Sequence, residues 1–247
     1  PDTVLAKEAG LELGIKESIV VNDRMETSVP DIYAAGDAVQ VKHYVTGDDA
    51  LISLAGPANK QGRIIADNIC GGDSRYLGSQ GSSVIKVFDM TAATTGINET
   101  NAKKSGLEVD TVILSPMSHA GYYPGGKVMT MKVVFEKETY RLLGAQIIGY
   151  EGVDKRIDVL ATAIHAGLNA TQLKDLDLAY APPYSSAKDP VNMAGFMIDN
   201  IAKGTLKQWH LEDMDKISKD KDVVLLDVRT VGEFNRGHMD GFKNIPV

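Results

Sequence analysis

Thr27-Ser28-Val29-Pro30-Asp31-Ile32-Tyr33-Ala34-Ala35-Gly36-Asp37-Ala38 is the stretch on which the reading of this chain turns. Turn-forming Thr27, Ser28 and Pro30 precede an apolar run, so a short buried strand is expected from Asp31 to Ala35, closed by Gly36. Glycine there removes the side chain that would hold a ligand away from the backbone, and Asp37 emerges at the carboxyl edge of the strand. Ligands of open α/β sheets collect at that edge, where a carboxylate accepts hydrogen bonds from sugar-like hydroxyls. The same residues also suit a Gly-Asp turn that merely ends a strand, and the motif alone leaves both readings open.

Upstream, Leu5, Ala9 and Leu13 have helical spacing and predict a helix over Val4–Gly14, followed by a short strand at Ile19–Val21. Downstream, Pro57 in Leu54-Ala55-Gly56-Pro57-Ala58-Asn59-Lys60-Gln61-Gly62-Arg63 is expected to open a helix that Gly71-Gly72 ends. The amino end of such a helix carries roughly half a positive charge and unpaired amides, which stabilise an anionic group. Ser74–Ser82 is polar and glycine-rich and is expected to link two regions.

Beyond it the pattern changes. Strands are expected at Ser83–Met90, Glu108–Pro116, Lys127–Glu136 and Leu142–Tyr150, and helices at Asn98–Lys104, Asp154–Ala166 and Pro190–Lys203. That alternation predicts an α+β domain, an antiparallel sheet with helices on one face. Along the second helix Val153, Ile157, Leu160, Ala161 and Ile164 form the buried stripe, and Asp154 to Asp158 are expected to include its solvated face. Asp189-Pro190 has the form of an N-cap and first helical residue. After a polar stretch to Asp222, a buried strand is expected at Val223–Asp227, and Thr230 and Glu233 have capping-box spacing.

Composition narrows the function. The chain has 247 residues, opens on Pro1, and carries 26 basic against 33 acidic side chains for a net charge of −7. No dense Lys/Arg run suits a nucleic-acid backbone, and no apolar stretch approaches the ~20 residues of a membrane span. Without a signal-peptide pattern, the cytoplasm is the expected compartment. The single cysteine, Cys70, rules out an internal disulfide, a CxxC pair or a thiolate zinc cage within these residues. It falls at a helix C-terminus, where the dipole disfavours a thiolate. His119 and His165 lack metal-ligand spacing and read as structural, so no metal is expected.

Several motifs resemble those of one family. Thr27 to Asp37 resembles the second flavin-binding motif of the pyridine nucleotide-disulfide oxidoreductases, which implies that Gly36 and Asp37 contact the ribityl and pyrophosphate groups of FAD. Leu54–Arg63 resembles the helix start that faces the flavin in that family, implicating Ala55, Gly56, Pro57 and Ala58. Residues 83–203 resemble its dimerisation domain in the coenzyme A-disulfide reductase and NADH oxidase branch. In Tyr180-Ala181-Pro182-Pro183-Tyr184 the family's His/Glu acid pair is missing, and Tyr180 stands in its place as a candidate catalytic group, although an ordinary phenol with a pKa of about 10 gives up its proton slowly at neutral pH. Tyr122 and Tyr123, in His119-Ala120-Gly121-Tyr122-Tyr123-Pro124, both match a branch tyrosine near the thiol end of coenzyme A, across the dimer interface; either also suits interface packing. Val223–Gly241 with Asn244-Ile245-Pro246 resembles the opening of a rhodanese domain, where Asp227, Arg229 and His238 are structural.

The resemblance implies the C-terminal part of an α/β FAD/NAD-binding domain over 1–80, a dimerisation domain over 81–204, and a linker with an incomplete α/β rhodanese-like domain over 205–247. A protein truncated at both ends is therefore expected. Its parent would use NAD(P)H and FAD to reduce coenzyme A disulfide, persulfide or polysulfide through a cysteine outside this chain. It would act on a small thiol or disulfide as a homodimer formed through 81–204, with neither nucleic acid nor membrane as partner. Two alternatives stand beside this: an NADH oxidase that reduces oxygen, and a catalytically inert dimerisation scaffold.

Overall fold

A strand needs a ladder of partners, and the first eighty residues provide few. In the computed structural model, which describes residues 2–247, α1 (Val4–Glu8) ends before Gly10, whose φ of +76° suits only glycine without strain. The helix expected to reach Gly14 is thus cut to five residues. The strands expected at Ile19–Val21 and Asp31–Ala35 are single rungs: Ile19 bridges Leu13 and Val39, and Tyr33 bridges Glu26. Next come the two-stranded pair β1 (Val41–Lys42) and β2 (Asp49–Ala50), then α2 (Ala55–Ile69). Helix α2 begins two residues before the expected Pro57. It ends as expected, with Gly71 and Gly72 amides donating to the Asn68 and Asp67 carbonyls in a Schellman closure. Met25, Val39 and Val41 form a small core against Ile64 and Ile65 of α2.

The larger core lies under a five-stranded sheet. Its strands are β3 (Ser83–Val87), β4 (Met90–Gly96), β5 (Val109–Leu114), β6 (Met129–Glu136) and β7 (Leu142–Gly149), in the order β3-β4-β7-β6-β5 and antiparallel throughout. Between β4 and β5 lies α3 (Glu99–Lys104); after β7 come α4 (Val153–His165) and α5 (Pro190–Ala202). Strand β4 is the element that patterning misses. Met90-Thr91-Ala92-Ala93-Thr94-Thr95 has no large side chains in alternation, and the turn at Phe88-Asp89 falls inside what reads as one strand. Alternation then sorts the faces over most of the sheet, broken by a register shift between Val134 and Phe135 that leaves Val133, Val134 and Phe135 all buried. Ala93, Met131, Val133, Ala145 and Ile147 are buried with Ile157, Leu160 and Ile164 of α4 and Val191, Ala194 and Ile198 of α5. Ile85 and Ile148 point the other way and are exposed. The expected sheet with helices on one face is observed. Edge strand β3 is left open, with Val84, Ile85 and Val87 exposed and Phe88 almost fully so at the hairpin tip.

Lys203–Val247 is a second unit. It contains α6 (Met214–Ile217), β8 (Leu226–Asp227), α7 (Val231–Arg236) and β9 (Lys243–Asn244), with β8 and β9 parallel. The strand expected at Val223–Asp227 shrinks to two residues, and Val223, Val224 and Leu226 are exposed, because β9 is its one partner among the described residues. The Thr230–Glu233 capping box is formed. Asp227 binds the Arg229 guanidinium in bidentate fashion, and Asn244 Nδ2 donates to the carbonyls of Asp227 and Arg229.

Helix α3 is pinned to the sheet by charge. The Glu99 carboxylate in its first turn accepts from Lys103 one turn on and from Lys132 of β6, and these two bonds hold it at a pKa of about 2. A carboxyl depressed on folding stabilises the native state above its unfolded pKa, and that contribution fades as pH falls toward the folded value. Glu99→Gln is expected to cost about 1 kcal/mol or less at pH 7, since the lysines are partly solvated. Denaturant titration should show the gap between variant and parent closing from about pH 4.5 down to 2.

Candidate functional site

The residues singled out in the sequence fall into two clusters. The first joins the Gly36-Asp37 turn to the amino end of α2. Gly36 adopts φ +82° and opens a 3-10 turn through Ala38. Its amide donates to Gln61 Oε1 at 2.7 Å, and a β-carbon built on Gly36 would lie 3.8 Å from that of Ala58. The turn is therefore seated on the first turns of the helix, with Asp37 exposed beside it. No side chain caps α2. The amides of Ala55 and Gly56 stand among the first four, which have no intrahelical acceptor, and Pro57, the third helical residue, has no N–H to leave unpaired. Gly56, Pro57 and Lys60 also line a cleft of about 560 Å³ whose opposite wall includes Asp158, Thr162 and His165 of α4. Gln61 was not anticipated. Its signal is a polar residue one turn after Pro57 that proves almost wholly buried, with its carboxamide tying the two motifs together.

An uncapped helix end, a turn that only glycine fits and an exposed carboxylate at that turn form a donor and acceptor set suited to a ligand with hydroxyls and an anionic edge. Cys70 lies at the other end of α2, exposed, as its C-cap.

The second cluster joins tyrosines 58 positions apart. The hydroxyls of Tyr122 and Tyr180 are 2.8 Å from each other, and both rings are solvent-exposed. Tyr123 turns instead to the buried His119, edge to face at 5.6 Å. The structure thus brings Tyr122 and Tyr180 together and leaves Tyr123 in packing. The hydrogen bond with Tyr122, foremost, with some desolvation and the charge on Tyr122 behind it, holds the Tyr180 proton above the ordinary tyrosine pKa. Tyr180 is consequently a hydrogen-bond donor across the physiological range. His165, the other lone histidine, stacks on Tyr44 at 5.0 Å.

Beneath the tyrosines lies a residue expected on the solvated face of α4. Arg156 is 1% exposed. Its Nη2 donates to Asp189 at 2.9 Å, to the Ser118 carbonyl at 3.0 Å, to Ser185 Oγ at 3.1 Å and to the Tyr184 carbonyl at 3.2 Å. Nε binds both Asp189 oxygens and Nη1 the Gly152 carbonyl. Asp189 also accepts from the Val191 amide at 3.0 Å, which makes it the expected N-cap of α5. The helical stripe misplaces Arg156 because a charged residue beside Asp154 and Lys155 looks solvated until a buried carboxylate is known to face it.

Residues 1–62 match the profile of the pyridine nucleotide-disulphide oxidoreductases, and residues 82–190 match that of the pyridine nucleotide-disulphide oxidoreductase dimerisation domain. The NAD(P)H sulfur oxidoreductase (CoA-dependent) of Pyrococcus furiosus is 39% identical over 191 residues, 77% of this chain and 43% of its own length. A coenzyme A disulfide reductase of Staphylococcus aureus is 37% identical over 198 residues, 79% of this chain and 44% of its own. The crystal structure of reduced Bacillus anthracis CoADR-RHD superposes with a TM-score of 0.95 at 48% identity, over 100% of this chain and 44% of that one. The chain thus spans less than half the length of the relatives it matches.

If the Tyr122 hydroxyl retains the Tyr180 proton, Tyr122→Phe must release it at lower pH. Fluorine NMR of fluorotyrosine-labelled protein, with the Tyr180 signal assigned by its loss in Tyr180→Phe, should show a downward shift of the titration midpoint; an unchanged midpoint would contradict the hydrogen bond as its cause.

Proposed function

Since the chain belongs to the pyridine nucleotide-disulphide oxidoreductases, we propose that it forms the C-terminal portion of a cytoplasmic, FAD-dependent NAD(P)H reductase acting on coenzyme A disulfide, persulfide or polysulfide. In this reading residues 1–80 complete the nucleotide-binding region, 81–204 form the homodimer, and 205–247 begin a rhodanese-like domain. The observation that carries the reading is the pair of tyrosine hydroxyls at 2.8 Å, one of them, Tyr180, in the stretch that resembles the place of the acid pair in other branches of the family.

FAD would be held by Gly36 and Asp37 and by the first turn of α2, Ala55 to Ala58, and when bound it supplies two-electron transfer between the nicotinamide and a disulfide. Asp37 would accept hydrogen bonds from its ribityl hydroxyls. The unpaired amides at the start of α2 would favour negative charge on the part of the cofactor they meet. Tyr180 and Tyr122 have two hydroxyl protons between them; one lies between the oxygens and the other is left to be donated to sulfur as it becomes a thiolate. The pair acts as a stabilising donor, since a phenol held above its usual pKa is a poor proton source at neutral pH. Overall, NAD(P)H and one proton provide the two electrons and two hydrogens that convert a disulfide into two thiols, leaving NAD(P)+.

The test is NAD(P)H consumption by the full-length protein with coenzyme A disulfide or polysulfide under anaerobic conditions, and with oxygen alone. Turnover that depends on the sulfur substrate is expected; consumption with oxygen only would identify an oxidase, and absence of both, with no bound flavin, an inert scaffold. Tyr180→Phe is expected to lower kcat about 10-fold or more while flavin content is kept. Asp37→Ala is expected to lower the flavin-to-protein absorbance ratio instead.

A further inference from the structure

The two tyrosines ride on loops that the sheet does not align. Tyr122 lies in the connection from β5 to β6, and Tyr180 and Tyr184 lie in the connection from α4 to α5. Exposed hydroxyls on two such loops keep a 2.8 Å contact only if something beneath them fixes both. Arg156 touches both loops.

From the first loop it takes the Ser118 carbonyl, and from the second the Tyr184 carbonyl and the Ser185 hydroxyl. The loops are also tied directly, by the Ala120 amide to the Ser185 carbonyl at 3.0 Å, and Tyr123 then closes its own turn onto Ala120. Lys155, next along α4, donates to the Ala179 carbonyl at 3.4 Å, immediately before Tyr180. The local backbone makes room for the guanidinium. Gly152, the N-cap of α4, sits at φ +69°, and a β-carbon there would lie 2.1 Å from Arg156 Nη1. The helix therefore forgoes a side-chain cap to admit an arginine. A buried ion pair is a poor device for stability alone, because desolvation of the charges offsets most of their attraction.

We propose that Arg156 is the positioning residue of the tyrosine pair: its guanidinium, oriented by Asp189, holds the Tyr122 loop and the Tyr180 loop in one register and so sets the contact between their hydroxyls. The planar fork is essential to this role, since an ammonium offers three donors from a single atom and cannot span the acceptors that Nε, Nη1 and Nη2 reach on Asp189, Gly152 and both loops. The inference rests on the reading of the tyrosines as the thiolate-stabilising pair, but its first test does not.

That test is the Tyr180 titration on the full chain. Arg156→Lys is expected to move the Tyr180 midpoint down to the value found in Tyr122→Phe, and combining the two substitutions should give no further shift. A residue that only stabilises the fold would lower the melting temperature and leave the Tyr180 midpoint where it was, and that result overturns the proposal. Should Arg156→Lys fail to fold, Ser185→Ala removes one link to the second loop and keeps the ion pair. A smaller shift in the same direction supports the proposal, and none overturns it.

In the flavin-loaded full-length enzyme, Arg156→Lys is expected to reduce kcat about 10- to 100-fold, the scale of a misplacement of about 1 Å, with a smaller change in KM for the disulfide. A shifted titration with unchanged kcat would leave Arg156 as the positioning residue and remove the tyrosines from the chemistry.

Discussion

A guanidinium withdrawn from water has to find acceptors for its donors inside the protein, and their positions become constraints on the chain. At Arg156 the acceptors come from three places: the carbonyl at the start of its own helix, the stretch just before the Tyr122 loop, and the turn that leads into α5. Asp189 serves two masters in that arrangement, as counter-ion and as helix cap. Asn192 extends the network, accepting from the Asp189 amide and donating to the carbonyls of Leu173 and Leu176. Removing either the Arg156 guanidinium or the Asp189 carboxylate would leave the other buried without its charged partner, at about 3–5 kcal/mol. The irregular segments around α4 and α5 are fixed by this accounting more than by secondary structure.

The cluster at Gly36 follows the same logic on a smaller scale. Two motifs that are separate in the sequence meet because a buried carboxamide needs a donor and Gly36 has an amide to give. Around it the apolar support is slight, three fully buried side chains with several partly buried neighbours. A cluster of that size positions a turn; the sheet and its helices provide the larger core.

Much of this is legible in the sequence. Apolar runs between turn residues announce β5, β6 and β7, and Pro or Gly at their ends announces α2 and α5. The Gly-Asp turn and the tyrosine loops were picked out by residue type alone. What escaped shares one cause, a dependence on partners distant in sequence. Ile19–Val21 has the composition of a strand and only single rungs to pair with, whereas Met90–Gly96 has the composition of a loop and two neighbours that make it a strand. Tyr122 and Tyr123 are indistinguishable as letters, and the choice between them is made by the hydroxyl of Tyr180 and the ring of His119. Arg156 read as solvent-facing because its counter-ion lies 33 positions away.

The open edge of the sheet has a consequence for how the molecule behaves in a tube. Along Ser83–Met90 the charges are Lys86 and Asp89, which cancel, so the hairpin that presents Val84, Ile85, Val87 and Phe88 carries no local repulsion against a like strand. The repulsion available between two copies there is that of the overall charge of −7, acting at a distance. That repulsion reaches about 30 Å in 0.01 M salt and about 3 Å in 1 M. Salt therefore weakens the one long-range repulsion that opposes edge pairing, and dilute buffer is the condition in which that repulsion protects the edge strand most.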